Sequence, residues 1–520
     1  MTIQPQSSFV VMDQATGYVS AIIGGRGEKI GNRTLNRATT SLRQPGSTFK
    51  VLSTYLPALD TAGMTLATVM DDAEYNYPGT ETKVNNWETN TYKGLTTLRE
   101  AIYNSMNVVT VKTLEQVTPQ VGYDYLLKLG FTTVVDNRIT DDGKVYTDIA
   151  LPLALGGITD GVTNLELTAA YAAIANHGTY NQPTFYTTIL DHDGKVLIDK
   201  SVPHSEQVMK ESTAWLLTNA MQDVVKIGTG KAAGFKSLRM PVAGKTGTTS
   251  SYLDTWFSGY TPYYTASIWS GYDKNNKSQT EKSYHKNVWR EIMERIHTQK
   301  GLETKDFEKP DSIIAAKIWT KSGLLATEDC SHAHGGSTVK TEYFAKGTLP
   351  NGKCDAHVKV RICKESGLIA TDFCPEADIE EVVYLVKDET SPTRDTPNLL
   401  PSNECDIHTT PQEITDPEDI LDDIIDNLIP TPDDPVVPPD NPSKPNQPSQ
   451  KPNKPTPPES PNEPNEPDEP VYEPPVQVPD SGENSSPNVP DTPPENPSTS
   501  NEPVETPPNN EFDSPENVFE

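Results

Sequence analysis

Three short motifs with side chains that can transfer an acyl group occur in order along the chain. They are Ser47-Thr48-Phe49-Lys50, Ser105-Met106-Asn107 and Lys245-Thr246-Gly247, the last followed by Thr248. Acyl transfer requires a nucleophile, a base that removes its proton, an acid that protonates the leaving group, and donors for the developing oxyanion. The three motifs contain a candidate for each of these roles.

The first motif supplies a nucleophile and a base. If Ser47 opens a helix, Lys50 lies on the same helical face, and its amine can reach the Ser47 hydroxyl. A lysine acts as a base only when its pKa is lowered, and partial burial beside a second cation such as Lys245 would lower it. The turn residues at 43–46 suit a loop that presents Ser47 at a helix N-terminus, where backbone N–H groups point outward.

The other two motifs supply proton-transfer and binding groups. Ser105 and Asn107 stand where a helical pattern gives way to a short connection, so both side chains can face a cleft. A hydroxyl there can relay a proton to a leaving amine, and an amide can bind a peptide backbone. Small residues surround Lys245, which is typical of a sheet edge that pairs with a substrate strand. Lys245, Thr246 and Thr248 would then bind a carboxylate.

Each motif alone is weak evidence. A chain of this length contains about two Ser-x-x-Lys matches by chance, and Ser283 with Lys286 is one such decoy. The alternative for each match is an ordinary exposed side chain or, for the third motif, a strand that ends at a turn. Lys-Thr-Gly is rarer, expected on the order of 0.1 times per chain. The order of the three motifs and their surrounding segments therefore carry the prediction.

The motif set resembles that of penicillin-binding proteins and class A β-lactamases. The surrounding sequence resembles the transpeptidase domain of class A penicillin-binding proteins, Gram-positive type, over most of residues 8–297. Matching segments are an opening hairpin at 8–25, the stretch 36–39 ahead of the nucleophile, a helical segment at 151–178, a strand at 254–262 and a closing amphipathic helix at 289–297.

The resemblance implies an α+β fold, the penicillin-binding-protein/serine β-lactamase-like transpeptidase fold, in which helices flank an antiparallel sheet. The implied catalytic residues are Ser47, Lys50, Ser105 and Lys245, and the implied substrate-binding residues are Asn107, Thr246, Gly247 and Thr248.

By this resemblance Ser47 attacks the penultimate D-alanine carbonyl of a peptidoglycan stem peptide, and Lys50 is the base. Ser105 passes the proton to the departing D-alanine, and the backbone N–H groups of Ser47 and Thr248 form the oxyanion hole. An amine of a neighbouring stem then completes the crosslink, β-lactams acylate the same serine, and no metal or cofactor is expected.

Two other functions remain open from the sequence. A D,D-carboxypeptidase or β-lactam-hydrolysing enzyme would use the same residues with water as the acceptor, and a non-catalytic β-lactam sensor would use acylation as a signal. Met106 stands where the β-lactamase motif has aspartate, which favours the penicillin-binding branch. Glu166 lies on a helix that fits the transpeptidase pattern and is no convincing base for deacylation, so we expect slow β-lactam turnover.

The start of the chain predicts a fragment. Residues 1–8 are polar, no apolar run approaches the roughly 18–20 residues that span a bilayer, and no signal peptide is present. Class A proteins normally carry a transmembrane helix and a glycosyltransferase domain before this domain. We therefore expect membrane association only through an absent N-terminal segment, at the extracellular face of the cytoplasmic membrane or in the cell wall of a Gram-positive bacterium. The expected partners are stem peptides, β-lactams and the cell-division or elongation machinery; the acidity of the chain disfavours nucleic acid.

Composition divides the chain into three predicted regions: a transpeptidase domain at 1–300, tandem cysteine-containing β-rich repeats at 301–409, and a disordered tail at 410–520. Residues 411–520 hold 30 of the 46 prolines and 26 acidic against 3 basic residues, a net charge of −23 out of −30. Such a segment cannot bury enough apolar surface to fold.

The middle region contains an internal repeat and all of the cysteines. Residues 317–330 match residues 361–374 at an offset of 44, which indicates two small β-rich units. The five cysteines are Cys330, Cys354, Cys363, Cys374 and Cys405. Outside the cell, disulfides between Cys363 and Cys374 and between Cys330 and Cys354 would staple the units and leave Cys405 unpaired. A zinc site is the alternative, disfavoured because the sequence lacks paired C-x-x-C elements.

Overall fold

The structure, a computed structural model, describes residues 4–29, 31–88, 91–274, 277–386 and 399–410, which all belong to one compact unit. The predicted disordered tail lies outside the described residues from position 411 onward. No helix in the described ranges is long and apolar enough to cross a membrane.

Short strands and mostly short helices alternate along the described chain. In chain order the strands are β1 (Gln6–Asp13), β2 (Val19–Ile23), β3 (Val69–Asp72), β4 (Gly94–Thr97), β5 (Arg138–Ile139), β6 (Val145–Tyr146), β7 (Thr179–Asn181), β8 (Thr188–Leu190), β9 (Val196–Asp199), β10 (Ser205–Gln207), β11 (Ala243–Thr248), β12 (Asp254–Tyr260), β13 (Tyr264–Gly271), β14 (Ile313–Trp319), β15 (Val339–Ala345), β16 (His357–Cys363) and β17 (Ile379–Leu385). The α-helices are α1 (Leu56–Asp60), α2 (Leu98–Asn104), α3 (Asn107–Val117), α4 (Pro119–Lys128), α5 (Asn164–Ala175), α6 (Glu211–Lys226) and α7 (Tyr284–Lys300). A π-helix spans Lys50–Tyr55, and 3₁₀ turns span Gly46–Thr48, Leu151–Leu155, Lys231–Ala233, Ser250–Tyr252, Asp329–Ser331 and Glu376–Asp378.

A five-stranded antiparallel sheet in the order β11-β12-β13-β1-β2 organises the catalytic region. Successive side chains of a strand point to opposite faces, so each inner strand contributes to two cores. Phe257 packs with Trp289 and Met293 of α7 on one face. Its neighbour Trp256 joins the larger helical core on the other, where Tyr171 of α5 is also buried. The sheet and its flanking helices confirm the predicted α+β fold, with the opening hairpin at β1–β2 and the closing helix at α7.

The larger core lies among α1 to α6 and the π-helix, and it holds the first two motifs. Phe49, Leu52 and Tyr55 from the first motif's helical segment are fully buried there, together with Val108 of α3. Because these elements share one core, the residues of the two motifs are fixed relative to each other by packing rather than by sequence proximity.

Two β-hairpins, β14–β15 and β16–β17, follow the catalytic region and confirm the two small β-rich units. The first is joined to the catalytic region by Arg99 of α2, whose guanidinium donates hydrogen bonds of 2.6 and 2.8 Å to the Glu342 carboxylate of β15. The same guanidinium also bonds Asp223 at 2.7 Å. The predicted domain boundaries near 300 and 409 remain predictions.

Candidate active site

Ser47 lies in a single 3₁₀ turn, Gly46–Thr48, and Lys50 begins the π-helix that follows. The expected feature was an ordinary helix starting at Ser47. The tighter 3₁₀ turn has three residues per turn, so positions three apart lie directly above one another. Ser47 and Lys50 therefore lie in two consecutive short helical segments, joined by Phe49. Ser47 is half-buried and Lys50 is fully buried.

The Ser47 turn is wedged between neighbouring backbones where only glycine fits. Gly46 has a φ of +53°, and a Cβ there would lie 2.8 Å from the Thr248 carbonyl oxygen at the end of β11. On the other side, a Cβ on Gly156 would lie 2.4 Å from the Gly46 carbonyl oxygen. The hydroxyl of Tyr171 fixes the turn further by donating a 2.8 Å hydrogen bond to the Thr48 carbonyl. These contacts bring the first motif against the third.

Lys50 reaches both residues that flank Met106 in the second motif. Its Nζ donates to the Ser105 carbonyl at 2.6 Å and to Asn107 Oδ1 at 2.5 Å. Burial, and then the nearby charge of Lys245, hold the pKa of Lys50 well below its usual value. A neutral amine can still donate these two bonds and keeps a lone pair that can accept a proton.

The backbone between α2 and α3 explains the spacing of the second motif. Ser105 ends α2 in the left-handed conformation, with a φ of 56°, and Met106 is extended before Asn107 opens α3. The Met106 side chain is buried in the core, so it anchors the connection while its two neighbours face the lysines. Asn86 Oδ1 accepts hydrogen bonds from the backbone N–H groups of Asn107, at 2.8 Å, and Val108, at 3.3 Å, and so caps α3 from another loop.

Lys245 lies on β11, an edge strand of the sheet, and is fully buried. Its Nζ donates to Ser105 Oγ at 2.7 Å, and burial lowers its pKa to about 7. Thr246 is also buried, with its hydroxyl 2.8 Å from that of Thr229, whereas Thr248 is exposed at the end of the strand. Glycine is needed at 247 because a Cβ would lie 2.6 Å from the Pro45 carbonyl oxygen.

The structure thus brings Lys50, Ser105, Asn107 and Lys245 into one hydrogen-bonded network and sets Ser47 and Thr248 in the adjoining turn and strand end. Two lysines with lowered pKa values, one near 7, can exchange protons with a hydroxyl in such a network. An edge strand beside them leaves backbone groups free to pair with an extended peptide.

Glu166 lies elsewhere in the fold with a structural role. Its carboxylate accepts hydrogen bonds from the backbone N–H groups of Thr163 and Thr132, each at 3.0 Å, and forms a capping box at the start of α5.

Sequence reasoning missed three positioning residues, Asn86, Gly156 and Thr229. Each comes from a loop far along the chain from the motif that it contacts, and none carries a local sequence signal.

Comparison with known proteins identifies the family of the region that carries the three motifs. Residues 7–294, more than half of the chain, match the penicillin binding protein transpeptidase domain. The chain belongs to this family. Residues 309–359 match the C-terminal domain of penicillin-binding protein 1A, a second region characteristic of such proteins.

Two relatives of this penicillin-binding chain come from the Gram-positive genera Clostridium and Bacillus. Penicillin-binding protein 1A of Clostridium botulinum (strain Langeland) is 34% identical over 406 residues, covering 74% of this chain and 46% of that protein. Penicillin-binding protein 1A/1B of Bacillus subtilis is 31% identical over 366 residues, covering 66% of this chain and 37% of that protein. The chain therefore spans less than half the length of these relatives.

Solved structures share the transpeptidase fold. Penicillin-binding protein 1A from Haemophilus influenzae superimposes with a TM-score of 0.55 at 24% identity, over 67% of this chain and 54% of that chain. PonA1 from Mycobacterium tuberculosis, solved in complex with penicillin V, gives a TM-score of 0.51 at 25% identity, over 59% of this chain and 82% of that chain.

Proposed function

We propose that this penicillin-binding domain is a serine D,D-transpeptidase that crosslinks peptidoglycan stem peptides through an acyl-enzyme on Ser47. The observation that carries the proposal is the buried series of hydrogen bonds from Lys50 through the Ser105 residue to Lys245, beside the turn that holds Ser47. Two lysines with lowered pKa values, and the Ser105 hydroxyl that accepts a hydrogen bond from Lys245, supply the base and the acid that acyl transfer needs.

In the first step, neutral Lys50 removes the proton from Ser47 Oγ as that oxygen attacks the penultimate D-alanine carbonyl. The backbone N–H groups of Ser47 and Thr248 stabilise the oxyanion of the tetrahedral intermediate. When the intermediate collapses, the bond to the terminal D-alanine nitrogen breaks. Ser105 Oγ gives that nitrogen a proton and recovers one from Lys245 Nζ, which lies 2.7 Å away.

Substrate binding uses the edge of the sheet. An extended stem peptide adds to β11, whose outer side pairs with no other strand among the described residues. Protonated Lys245 attracts the terminal carboxylate, which also accepts hydrogen bonds from the hydroxyls of Thr246 and Thr248. Asn107 binds the donor peptide backbone through its side-chain amide. Gly247 leaves β11 free to lie against the Ser47 turn, because it has no side chain to meet Pro45.

In the second step, an amine of a neighbouring stem peptide attacks the Ser47 ester and gives up a proton through Ser105 Oγ to Lys245 Nζ. The bond from the carbonyl carbon to Ser47 Oγ then breaks, and Lys50 returns its proton to that oxygen, which restores the free enzyme. β-Lactams acylate the same serine, since they present a carbonyl and a carboxylate in a similar relation. The substrate places this chemistry at the outer face of the cytoplasmic membrane of a Gram-positive bacterium, where the whole protein would act in cell-wall synthesis.

Labelling with a fluorescent penicillin tests the nucleophile. Intact mass and peptide mapping should find one adduct on Ser47, absent in Ser47→Ala and formed far more slowly in Lys50→Ala. Ser283→Ala is the matched control, since Ser283 and Lys286 form another Ser-x-x-Lys sequence, at the start of α7. Full-rate labelling of Ser47→Ala would refute the assignment.

The acceptor requires a second assay. Incubation with a peptide that ends in D-Ala-D-Ala, with and without an amine acceptor, should give a crosslinked product that depends on the amine. A product mixture made only of hydrolysed peptide would instead identify a D,D-carboxypeptidase.

A further inference from the structure

Four potential metal ligands converge in the second repeat unit, far along the chain from the acyl-transfer site. Cys363 ends β16, Cys374 follows in the next loop, and Cys405 and His408 lie in the segment 399–410. Their three sulfurs and one imidazole nitrogen all lie within 4.8 Å of one another. The three cysteines are buried, so these groups are gathered inside the unit rather than scattered over its surface.

The distances fit a tetrahedral ion. The Sγ atoms of Cys363 and Cys405 each lie 3.5 Å from His408 Nδ1. With zinc bonds of about 2.3 Å to sulfur and 2.1 Å to nitrogen, a tetrahedral site places sulfur and nitrogen about 3.6 Å apart. The ligand atoms therefore already have nearly the separation that a shared zinc ion would impose.

The surroundings hold the ligands in orientations suited to a metal. The outer ring nitrogen of His408, Nε2, lies 3.3 Å from a carboxylate oxygen of Glu365. A carboxylate there fixes the proton on Nε2 and leaves Nδ1 free to ligate, as is usual for histidine ligands.

The first repeat unit has the same backbone but one ligand fewer. The Cys354 amide bonds to the Leu325 carbonyl at 2.8 Å, as the Cys405 amide bonds to the Ile369 carbonyl at 2.7 Å. Both units thus hold a Cys-Asp-x-His segment against the stretch that follows the leading strand, β14 in the first unit and β16 in the second.

The difference lies at the end of the leading strand, where Trp319 occupies the position that Cys363 holds in the second unit. Cys330, Cys354 and His357 gather there, and the indole lies edge-on to the His357 imidazole with ring centres 4.3 Å apart. An indole cannot ligate a metal, so the set of four is complete only in the second unit.

We propose that Cys363, Cys374, Cys405 and His408 bind a structural zinc ion. Each thiol loses its proton to solvent on binding, and the neutral imidazole donates its Nδ1 lone pair. All five cysteines are free thiols in the structure, so neither disulfide expected from the spacing is present. A disulfide would also use only two of the three sulfurs, whereas a zinc ion uses all three and the imidazole.

Four protein ligands close the coordination sphere, so the site is structural rather than catalytic. The ion ties the end of β16 to the segment 399–410, which backbone hydrogen bonds such as that from the Cys405 amide to the Ile369 carbonyl also hold in place. The sequence lacks C-x-x-C pairs but contains a repeated Cys-x-x-His, at Cys354–His357 and Cys405–His408, which is a pattern of potential metal ligands.

Metal content and cysteine state test the proposal on the full chain, purified without added metal or reductant. Elemental analysis should find about one zinc ion per chain, lost in Cys374→Ser and in Cys405→Ser. Cys330→Ser in the first unit is the matched control and should keep its zinc. Penicillin labelling of Ser47 reports whether each variant has kept a folded catalytic region.

A second measurement needs no variant. In the wild-type chain, N-ethylmaleimide should modify Cys363, Cys374 and Cys405 only after a chelator removes the metal, and cobalt should give the absorption bands of a tetrahedral thiolate site. Denaturing, non-reducing mass analysis should show no disulfide among these three residues. A disulfide there, or zinc content unchanged by Cys374→Ser, would overturn the proposal.

Discussion

Lys245 Nζ donates a 2.7 Å hydrogen bond to Ser105 Oγ, although the two residues are separated by 140 positions in the chain. Both are buried, and Lys50 approaches the same residue from the other side through the Ser105 carbonyl. The second motif therefore lies between the two lysines, which is the arrangement on which the proton transfers of the proposed mechanism depend.

The pH dependence of acylation should report both lysines. Lys50 must be neutral to act as a base, and Lys245 must be protonated to attract a carboxylate. Because burial lowers the pKa of Lys245 to about 7, the second-order rate constant for penicillin acylation should fall as the pH rises above about 7. That rate constant reports the free enzyme, so the measurement is a pH profile of labelling at low penicillin concentration.

Lys245→Arg tests whether Lys245 causes this fall of the rate constant at high pH, the alkaline limb of the profile. Its guanidinium stays charged throughout the accessible pH range, so the limb should disappear even if the overall rate drops. Lys226→Arg, at the exposed end of α6, is a control that should keep the wild-type profile. An unchanged alkaline limb in Lys245→Arg would show that another group causes it.

Removing the Ser105 hydroxyl should slow acylation without unfolding the chain. General acid catalysis contributes about 10²–10⁴-fold, so we expect Ser105→Gly to lower the acylation rate by about 10²–10³-fold. Ser105→Ala removes the same hydroxyl but keeps the Cβ and the strain of the left-handed backbone, whose φ is 56°, whereas Ser105→Gly relieves that strain of about 1 kcal/mol. The two variants should therefore share one rate while differing in the free energy of unfolding. If the acylation rates of the two variants instead differed in parallel with their free energies of unfolding, Ser105 would have a structural role only.

Gly156→Ala should displace the Ser47 turn. The added Cβ would lie 2.4 Å from the Gly46 carbonyl oxygen, so the turn must shift and acylation should fall by at least about 10²-fold, as expected for misplaced reacting groups. Gly143→Ala is the matched control, because Gly143 has nearly the same φ, +77° against +74°, but nothing within 4 Å of its Cβ position. Equal loss of acylation in both variants would assign the effect to backbone strain alone.

Glu342→Gln should weaken the attachment of the first hairpin to the catalytic region. The substitution removes the negative charge of the buried Glu342 carboxylate, which accepts two hydrogen bonds from the Arg99 guanidinium. Breaking a buried pair typically costs about 3–5 kcal/mol, and the remaining contact between Arg99 and Asp223 should hold the loss near the lower end of that range. The free energy of unfolding, obtained from urea denaturation of the wild type and the variant, measures this loss.

The control is Asp160→Asn, which breaks an exposed pair with Arg138 and should cost less than about 1 kcal/mol. A loss for Glu342→Gln no larger than for this control would contradict the prediction.

The sequence by itself determined much of the architecture. A run of β-forming residues indicated β1, and the apolar spacing of Trp289 and Met293 indicated α7, because both signals are local. The resemblance to the family indicated β12. The motif spacing also selected the candidate site residues. The 3₁₀ turn and π-helix around Ser47 and Lys50 were not predicted, since only packing against Thr248 and Gly156 imposes that backbone.

Only the tertiary structure decided which of these groups meet. Burial of Lys50 and Lys245, and hence their lowered pKa values, results from packing among segments that are distant in the chain, as does the support that Asn86 gives to Asn107. The same holds for the cysteines, whose spacing pointed to disulfides, whereas folding gathers Cys363, Cys374 and Cys405 around His408. Sequence patterns record what each segment prefers, but electrostatics and coordination depend on distances that arise only when the segments share one core.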